Sequence, residues 1–209
     1  MVNIGPVMSD RINILNMGQV LSQPVDLFAL PALGLLRQWS AEPATVDAEI
    51  WIVLDPDALH FGASVTASSD YDADCGQGEF VEGLWERDVA ELFIAEHEMY
   101  QEFNLSPNGA WWSAVFNAPR NRCAKRFSMP QDLKIFCETE TDSWRVALSI
   151  PRNQFSLDLS FTSHTRLNCN VITGNPVRQY LSWCRLPGAE ADFHQPQHFA
   201  VCSLCDQAS

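Results

Sequence analysis

The sequence predicts an all-β protein that folds as a single antiparallel β-sandwich. Short runs rich in β-branched and aromatic residues recur along the 209 residues and are separated by turn-forming residues, which is typical of strands. No long segment keeps the 3.6-residue period of an amphipathic helix, and no repeat or low-complexity linker divides the chain. A chain of this length can bury one substantial core, so we expect one domain over residues 1–209.

The strands are predicted from alternating or β-branched runs that end at turns. AEIWIVLD and ALHFGASVTA form a hairpin around Asp-Pro-Asp, and Asn108-Gly109 joins two later strands, because Asn-Gly is a strong hairpin signal. Pro24 confines the second strand to a sheet edge. In chain order, the predicted strands are 11–16, 20–28, 48–55, 58–67, 88–95, 99–106, 110–117, 132–139, 143–150, 165–172, 177–184 and 198–204.

The remaining segments are predicted as connections. Residues 35–40 are apolar but too few to assign, and residues 68–83 form a long acidic loop. Residues 118–131 carry four of the 13 basic residues without a strand pattern, which predicts a loop or a short helix. The sequence PRNQF at 151–155 predicts one helical turn.

Composition argues against several classes of partner. The formal charge is −13, from 13 basic and 26 acidic residues. Nucleic acids and anionic membranes are bound mainly by lysine and arginine, so we expect neither as a partner, whereas a neutral ligand or a cation is compatible with this charge. No secretory signal or membrane-spanning run is visible, and the seven cysteines are scattered. A cytoplasmic protein with reduced thiols is therefore expected.

Three predicted strands carry one apolar face and one polar face, because side chains alternate across a strand. Two interpretations stay open: an ordinary solvated outer face, or a face lined for sugar hydroxyls. The frequency of Asn and Tyr, where Lys and Glu would suffice for a plain surface, favours the second. Strand by strand, the polar positions are Tyr100, Glu102, Asn104 and Ser106; Arg166, Asn168 and Asn170; and Arg178, Tyr180 and Ser182.

Three stretches occur in an order and spacing that resembles a known family. They are GLWERDVAELF (83–93), YQEFNLSPNGAWW (100–112) and DFHQPQHF (192–199). Over residues 48–204 the chain resembles the DOMON-like proteins related to family 9 carbohydrate-binding modules. This resemblance implies a jelly-roll-like β-sandwich with a non-catalytic, sugar-binding role.

The resemblance also implies a set of ligand-binding residues. In the sugar-binding members, two aromatic rings clamp a terminal sugar and polar side chains of neighbouring strands hold its hydroxyls. By position, the first ring corresponds to Trp85, the carboxylate after it to Glu91, and the second ring, a tryptophan in those members, to Phe193. An arginine of those members corresponds to Asn104 and a glutamine to Asn170. Structural alternatives stay open: Trp85 as a cap on the sandwich, Glu91 in a salt bridge with an arginine, and Phe193 in packing.

Calcium and haem are the two cofactors for which the chain has candidate ligands. Asp70, Asp72 and Asp74 are spaced like the ligands of a calcium loop, because hard cations take closely spaced carboxylates, and a solvated acidic loop is the alternative. Related sandwich domains hold haem through methionine or histidine. Met99 belongs to an apolar face and His97 to a turn, so haem is not expected here.

Catalysis receives little support from the sequence. Asp88 and Glu91 point to opposite faces of one predicted strand and cannot form an acid/base pair, and no nucleophile elbow, phosphate loop or zinc-protease motif is present. We therefore expect a domain that is not an enzyme and that binds a carbohydrate or another small polar ligand. The alternatives are a domain that senses haem or a small molecule, and a structural or interaction protein without a small ligand.

Overall fold

The computed structural model describes residues 10–40 and 42–206, and fourteen strands account for most of its regular structure. The strands are β1 (Arg11–Asn16), β2 (Gly34–Leu35), β3 (Arg37–Gln38), β4 (Ala48–Leu54), β5 (Ala58–Val65), β6 (Val89–Glu96), β7 (Met99–Leu105), β8 (Trp111–Ala118), β9 (Asn121–Arg122), β10 (Lys134–Thr139), β11 (Trp144–Pro151), β12 (Thr165–Thr173), β13 (Gln179–Ser182) and β14 (Ala200–Asp206). Five short 3-10 helices lie between them: Pro24–Ala29, Leu84–Glu86, Ala124–Arg126, Arg152–Gln154 and Pro196–His198.

The strands form one continuous sheet that curls until its two halves face each other. One half runs β10-β11-β5-β4 and the other runs β12-β6-β7-β8-β9, with antiparallel pairing throughout. β1 and β14 join the halves, because β1 pairs in parallel with both β4 and β14, and β14 pairs with β12. The halves approach each other where β5 meets β6 and β7 meets β11. The predicted β-sandwich is therefore confirmed.

Apolar side chains from the inner faces of both halves fill the space between them. Alternation puts Leu92 and Ile94 of β6 on the inner face with Phe103 of β7, while Phe61 and Val146 come from the opposite half, and all five are fully buried. Burying a side chain of this kind stabilises a fold by about 1.5–3 kcal/mol. The inner faces thus account for the main core, and the outer faces are left for other roles.

The outer face of the β4-β5-β11 half is covered by residues 17–30. The 3-10 helix Pro24–Ala29 places Leu27 in a second, smaller apolar cluster on this face. The predicted edge strand at 20–28 is therefore wrong. Proline fixes a φ that suits the first turn of a helix, and the Asp26 carboxylate accepts the Gln23 N–H at 2.9 Å, which favours a helix start over an extended strand.

A buried hydrogen-bonded chain ties this covering segment to the sheet. His60 Nε2 lies 2.8 Å from Asp55 Oδ2, and His60 Nδ1 lies 2.8 Å from Ser149 Oγ. Asp55 also accepts the Leu21 N–H at 2.8 Å. The order Asp-His-Ser resembles a hydrolase triad, but Asp55, His60 and Ser149 are only 1%, 2% and 5% exposed. The chain therefore stabilises the covering segment and is closed to a substrate.

The other predicted strands agree with the observed strands to within two residues at each end. The two-residue strands β2, β3 and β9 were not predicted, because two residues are too few to show an alternation. The helical turn predicted at 151–155 is confirmed as the 3-10 helix Arg152–Gln154. No helix in the described part of the chain is long and apolar enough to cross a membrane.

Candidate functional site

Three neighbouring strands of the second half bring polar side chains into one row on its outer face. In the register of the sheet, Asn170 of β12 is opposite Glu91 of β6, and Glu91 is opposite Asn104 of β7. Ser182 of β13 and Trp112 of β8 extend the row at its two ends. Directly opposite residues share a face of the sheet, so three residues predicted from distant positions lie side by side.

A second row, formed by Asn168, Phe93 and Glu102, lies next to the first. Hydrogen bonds connect the rows: Asn104 Nδ2 donates to Glu102 Oε1 at 2.9 Å, and Asn168 Nδ2 donates to Asn170 Oδ1 at 2.8 Å. The polar side chains of both rows are at most 4% exposed. The interpretation of this face as an ordinary solvated surface is therefore wrong.

Three atoms of the first row have no hydrogen-bond partner among the described residues: Glu91 Oε2, Asn104 Oδ1 and Asn170 Nδ2. Buried polar groups in proteins are nearly always paired, and leaving one unpaired costs about 1–3 kcal/mol. Adjacent positions on three strands thus hold acceptors and a donor without a well-formed partner, and the closest interaction among them is between the Asn170 side chain and the Glu91 carboxylate. A ligand hydroxyl can pair with either kind of group where it reaches one, because a hydroxyl donates and accepts.

A cleft of about 340 Å³ lies over these rows, and Glu91 and Glu102 form its polar floor. Asn104 and Asn170 flank Glu91 on the adjoining strands without lining the cleft themselves. This volume is in the range of small-molecule sites. Aromatic and charged side chains make most of the walls: Trp85, Phe93, Trp112, Phe116, Arg120, Arg122, Arg178, Tyr180, Phe193 and His194.

Both predicted clamp rings lie on the walls of this one cleft. Trp85 is half-buried on the short 3-10 helix that follows Gly83, whose φ of 92° is a conformation that favours glycine. Its ring packs edge-on against Trp112, with centroids 5.1 Å apart. Phe193 is 6% exposed and packs against Trp39, with centroids 5.8 Å apart. Each ring therefore packs against a second aromatic ring.

Burial changes the acidity of the cleft floor. Loss of hydration raises the pKa of Glu91 well above its usual value, and repulsion from Glu102 adds to the shift. Loss of hydration also raises the pKa of Glu102 to about 7, against the lowering effect of the hydrogen bond from Asn104. Near neutral pH the floor therefore carries less negative charge than two ordinary glutamates would.

A hydrogen bond between Tyr100 and His194 fixes the wall beside Phe193. The Tyr100 hydroxyl lies 2.8 Å from His194 Nδ1 and accepts the Arg120 N–H at 3.1 Å. Burial and the charge of Arg120 lower the pKa of His194 to about 4, so the imidazole is neutral at pH 7. This contact joins β7 to the loop before β14 and holds Phe193 at the cleft.

The three arginines of the cleft were not among the predicted site residues. Arg120 and Arg122 belong to the turn and short strand after β8, and Arg178 precedes β13. The cluster of basic residues at 118–131 in an acidic chain was a visible signal. A loop has no period from which the direction of a side chain can be read, so its position over the cleft could not be predicted.

The acidic loop predicted to bind calcium lies elsewhere on the molecule. Asp70 is ion-paired with Arg87 at 2.6 Å, and Asp72 Oδ1 accepts the Asp74 N–H at 3.0 Å. Across residues 10–40 and 42–206, no group of three or more His, Cys, Asp or Glu side chains is arranged to hold a metal ion. Calcium binding by Asp70, Asp72 and Asp74 stays a prediction without a preformed set of ligands.

The structure does not show the alternative role of Glu91, a salt bridge with Arg87 or Arg166. Arg87 is taken by Asp70, and Arg166 donates to the Phe199 carbonyl at 3.3 Å. Asp88 points away from the cleft and accepts main-chain N–H groups. Glu91 therefore has no ion-pair partner within 4.0 Å among the described residues.

Comparison with solved structures shows what this fold is similar to. A proposed carbohydrate-binding protein from Bacteroides uniformis superposes with a TM-score of 0.64 at 14% identity, covering 94% of this chain and 99% of that chain. A family 9 carbohydrate-binding module from Caldicellulosiruptor kristjanssonii, in complex with cellotriose, gives a TM-score of 0.61 at 14% identity, over 94% and 95% of the two chains. The chain has the fold of a family 9 carbohydrate-binding module.

A family 9 module from the same organism in complex with glucose shows the same fold, with a TM-score of 0.57 at 14% identity over 94% of this chain and 97% of that chain. No protein-family model and no curated protein sequence matches the chain. The predicted relation to the family 9 module fold is thus confirmed by structure, whereas the relation to DOMON-like proteins stays a prediction.

Proposed function

We propose that this protein is a non-catalytic carbohydrate-binding domain whose cleft holds a sugar between the rings of Trp85 and Phe193. The observation that carries the proposal is a cleft whose walls include Trp85 and Phe193 and whose floor holds the buried Glu91 carboxylate, with one oxygen unpaired. The solved structures with cellotriose and glucose support it, because they are complexes of modules with this fold.

The chemistry of the cleft suits a sugar ring. The flat faces of aromatic rings cover the C–H groups of a pyranose, and the hydroxyls at its edge need donors and acceptors at fixed positions. Glu91 and the two asparagines lie on adjacent strands, so their spacing is set by the sheet and is kept when the ligand leaves. A site built on rigid elements loses little conformational entropy on binding, which favours affinity.

Calorimetric titration and tryptophan fluorescence with a panel of mono- and oligosaccharides, including glucose and cellotriose, test the proposal. We expect binding to at least one glycan, with an affinity at least about tenfold lower in Trp85→Ala, which is about 1.4 kcal/mol. Trp183→Ala is the matched control, because Trp183 is also half-buried but lies outside the cleft. No binding by folded protein to any glycan, or equal binding by Trp85→Ala, contradicts the proposal.

The same panel separates this function from the alternatives predicted from the sequence. A haem-sensing domain would show a Soret band after addition of haemin. A structural or interaction protein would respond to neither haemin nor sugars.

A further inference from the structure

The cleft concentrates positive charge in a protein that is strongly acidic overall. The chain has 13 basic residues against 26 acidic ones, yet Arg120, Arg122 and Arg178 all line this single cleft. Three guanidinium groups around one small cleft point to a ligand that carries negative charge, because arginine matches carboxylate and sulfate geometry with paired N–H donors.

Arg178 is the best placed of the three. Its guanidinium donates to the main-chain carbonyls of Trp85 and Glu86 at 2.6 and 2.9 Å, and its Nε donates to the Tyr180 hydroxyl at 2.9 Å. These bonds use three of its five N–H groups and fix its direction. In the part of the chain that the structure describes, no carboxylate lies within ion-pair distance of Arg178. Its positive charge is therefore held in place and not neutralised by contact.

Arg122 and Arg120 are partnered at the surface and can exchange those partners. Arg122 lies over the Trp112 ring, 4.7 Å from its centroid, and pairs with Glu82 at 2.6 Å. Arg120 pairs with Asp192 at 2.9 Å, with side chains that are 63% and 40% exposed. Exposed ion pairs contribute little free energy, so an anion in the cleft can compete for these arginines.

The floor of the cleft does not cancel this charge. Burial raises the pKa values of Glu91 and Glu102, which reduces their negative charge near pH 7. His194, on the wall of the cleft, is neutral at that pH. Near neutral pH the base of the cleft is therefore less negative than two ionised glutamates would make it, and Arg178 beside it has no carboxylate partner among the described residues.

We propose that the cleft selects an anionic saccharide, a sugar that carries a carboxylate or a sulfate group, and that Arg178 with Arg122 binds the anionic group. This inference rests on the proposed sugar-binding function. It adds the chemical class of the ligand, because the aromatic rings and Glu91 recognise the sugar while the arginines recognise its charge.

Paired ligands test the inference by calorimetry on the full chain. Glucuronate, galacturonate and glucose 6-sulfate are each compared with the neutral parent sugar, as monosaccharides and as short oligosaccharides. We expect at least one anionic sugar to bind at least about tenfold tighter than its parent in 50 mM salt, and this ratio to fall at 500 mM salt because screening weakens ionic contacts. The carboxylate and sulfate arms show which anionic group is preferred.

Variants locate the effect. In Arg178→Gln and Arg122→Gln the affinity ratio of anionic to neutral sugar is expected to fall towards one, whereas Arg126→Gln, an exposed arginine outside the cleft, leaves the ratio unchanged. The affinity ratio remains informative if Arg178→Gln displaces Trp85, because a displaced ring would weaken the binding of the anionic and the neutral sugar alike. Arg122→Gln is the second variant, because the Arg122 side chain makes no hydrogen bond to the Trp85 main chain and its loss removes none of the bonds that Arg178 makes there.

Three results would contradict the inference, and they can be distinguished from one another. Equal affinity for charged and neutral sugars refutes charge selection and leaves the sugar-binding function standing. Absence of binding to every sugar, charged or neutral, refutes both. A ratio that is unchanged in Arg178→Gln and Arg122→Gln also refutes the assigned roles of these arginines.

Discussion

Replacing Glu102 with glutamine changes the charge of the cleft floor without changing its shape. Glutamine keeps the Oε1 that accepts the Asn104 hydrogen bond at 2.9 Å, but it cannot ionise. The pKa of Glu102 is raised from its usual 4.5 to about 7, mainly by burial. Between these two values, the unfolded chain has lost a proton that the folded chain still holds, so folded stability falls as pH rises through this window.

The magnitude follows from the two pKa values. Below the pKa of the unfolded state, Glu102 is protonated in both states and does not affect the free energy of unfolding. Above the pKa of the folded state, Glu102 is ionised in both states and the loss of stability is complete. Between pH 5 and pH 8, Glu102 alone lowers the free energy of unfolding by about 2.5 kcal/mol. We therefore expect the free energy of unfolding of Glu102→Gln, relative to that of the parent protein, to rise by about 2.5 kcal/mol between pH 5 and pH 8.

Urea unfolding followed by tryptophan fluorescence at pH 5, 6.5 and 8 measures this difference. Glu98→Gln, at an exposed position in the β6–β7 turn, is the control, and its difference from the parent is expected to stay constant with pH. If Glu102→Gln and the parent lose stability in parallel between pH 5 and pH 8, the raised pKa is refuted.

Three further substitutions test parts of the fold. Asp55→Ala leaves a buried histidine and several main-chain N–H groups without an acceptor, and we expect unfolding to become easier by at least about 3 kcal/mol; an unchanged urea midpoint would contradict this. Tyr100→Phe removes the hydroxyl that holds His194, with an expected loss of about 1–2 kcal/mol in the same assay. Gly109→Ala is expected to cost about 1–3 kcal/mol, because its φ is +82° and an added Cβ would lie 2.9 Å from a neighbouring side chain; Gly18→Ala, with open space around it, is the thermal-melting control.

The fold was largely predictable because most strands are long enough to alternate. The run 48–55 is rich in β-branched and aromatic residues, the run 99–106 alternates between a mostly apolar and a polar face, and both formed strands. Residues 20–28 did not form a strand. Their apolar side chains pack on the outer face of the β4-β5-β11 half and do not belong to a strand pair. The curling of one sheet into two halves depends on the pairing of β1 with β14, which no local pattern shows.

The site was predictable only in part. Trp85, Glu91, Asn104, Asn170 and Phe193 were chosen by resemblance, and the structure places all five in or beside one cleft, although their binding of a ligand stays a prediction. Their adjacency depends on the register between strands, which is set by side chains across the whole sheet. The arginines escaped prediction because they come from connecting segments, where the sequence does not determine the direction of a side chain.

The pairing of β1 with β14 has a consequence for the folding kinetics. Asn16 Nδ2 donates to Asp206 Oδ1 at 2.7 Å, a contact between residues 190 positions apart. A contact of this separation forms only after a very long loop has closed, and the chain entropy lost in closing it comes before the contact stabilises the fold. Folding is therefore slowed. The two halves are bridged through these strands, so each keeps an unpaired edge until the distant segments meet. We expect refolding to be slow, and chaperones that shield exposed strand edges to raise its yield.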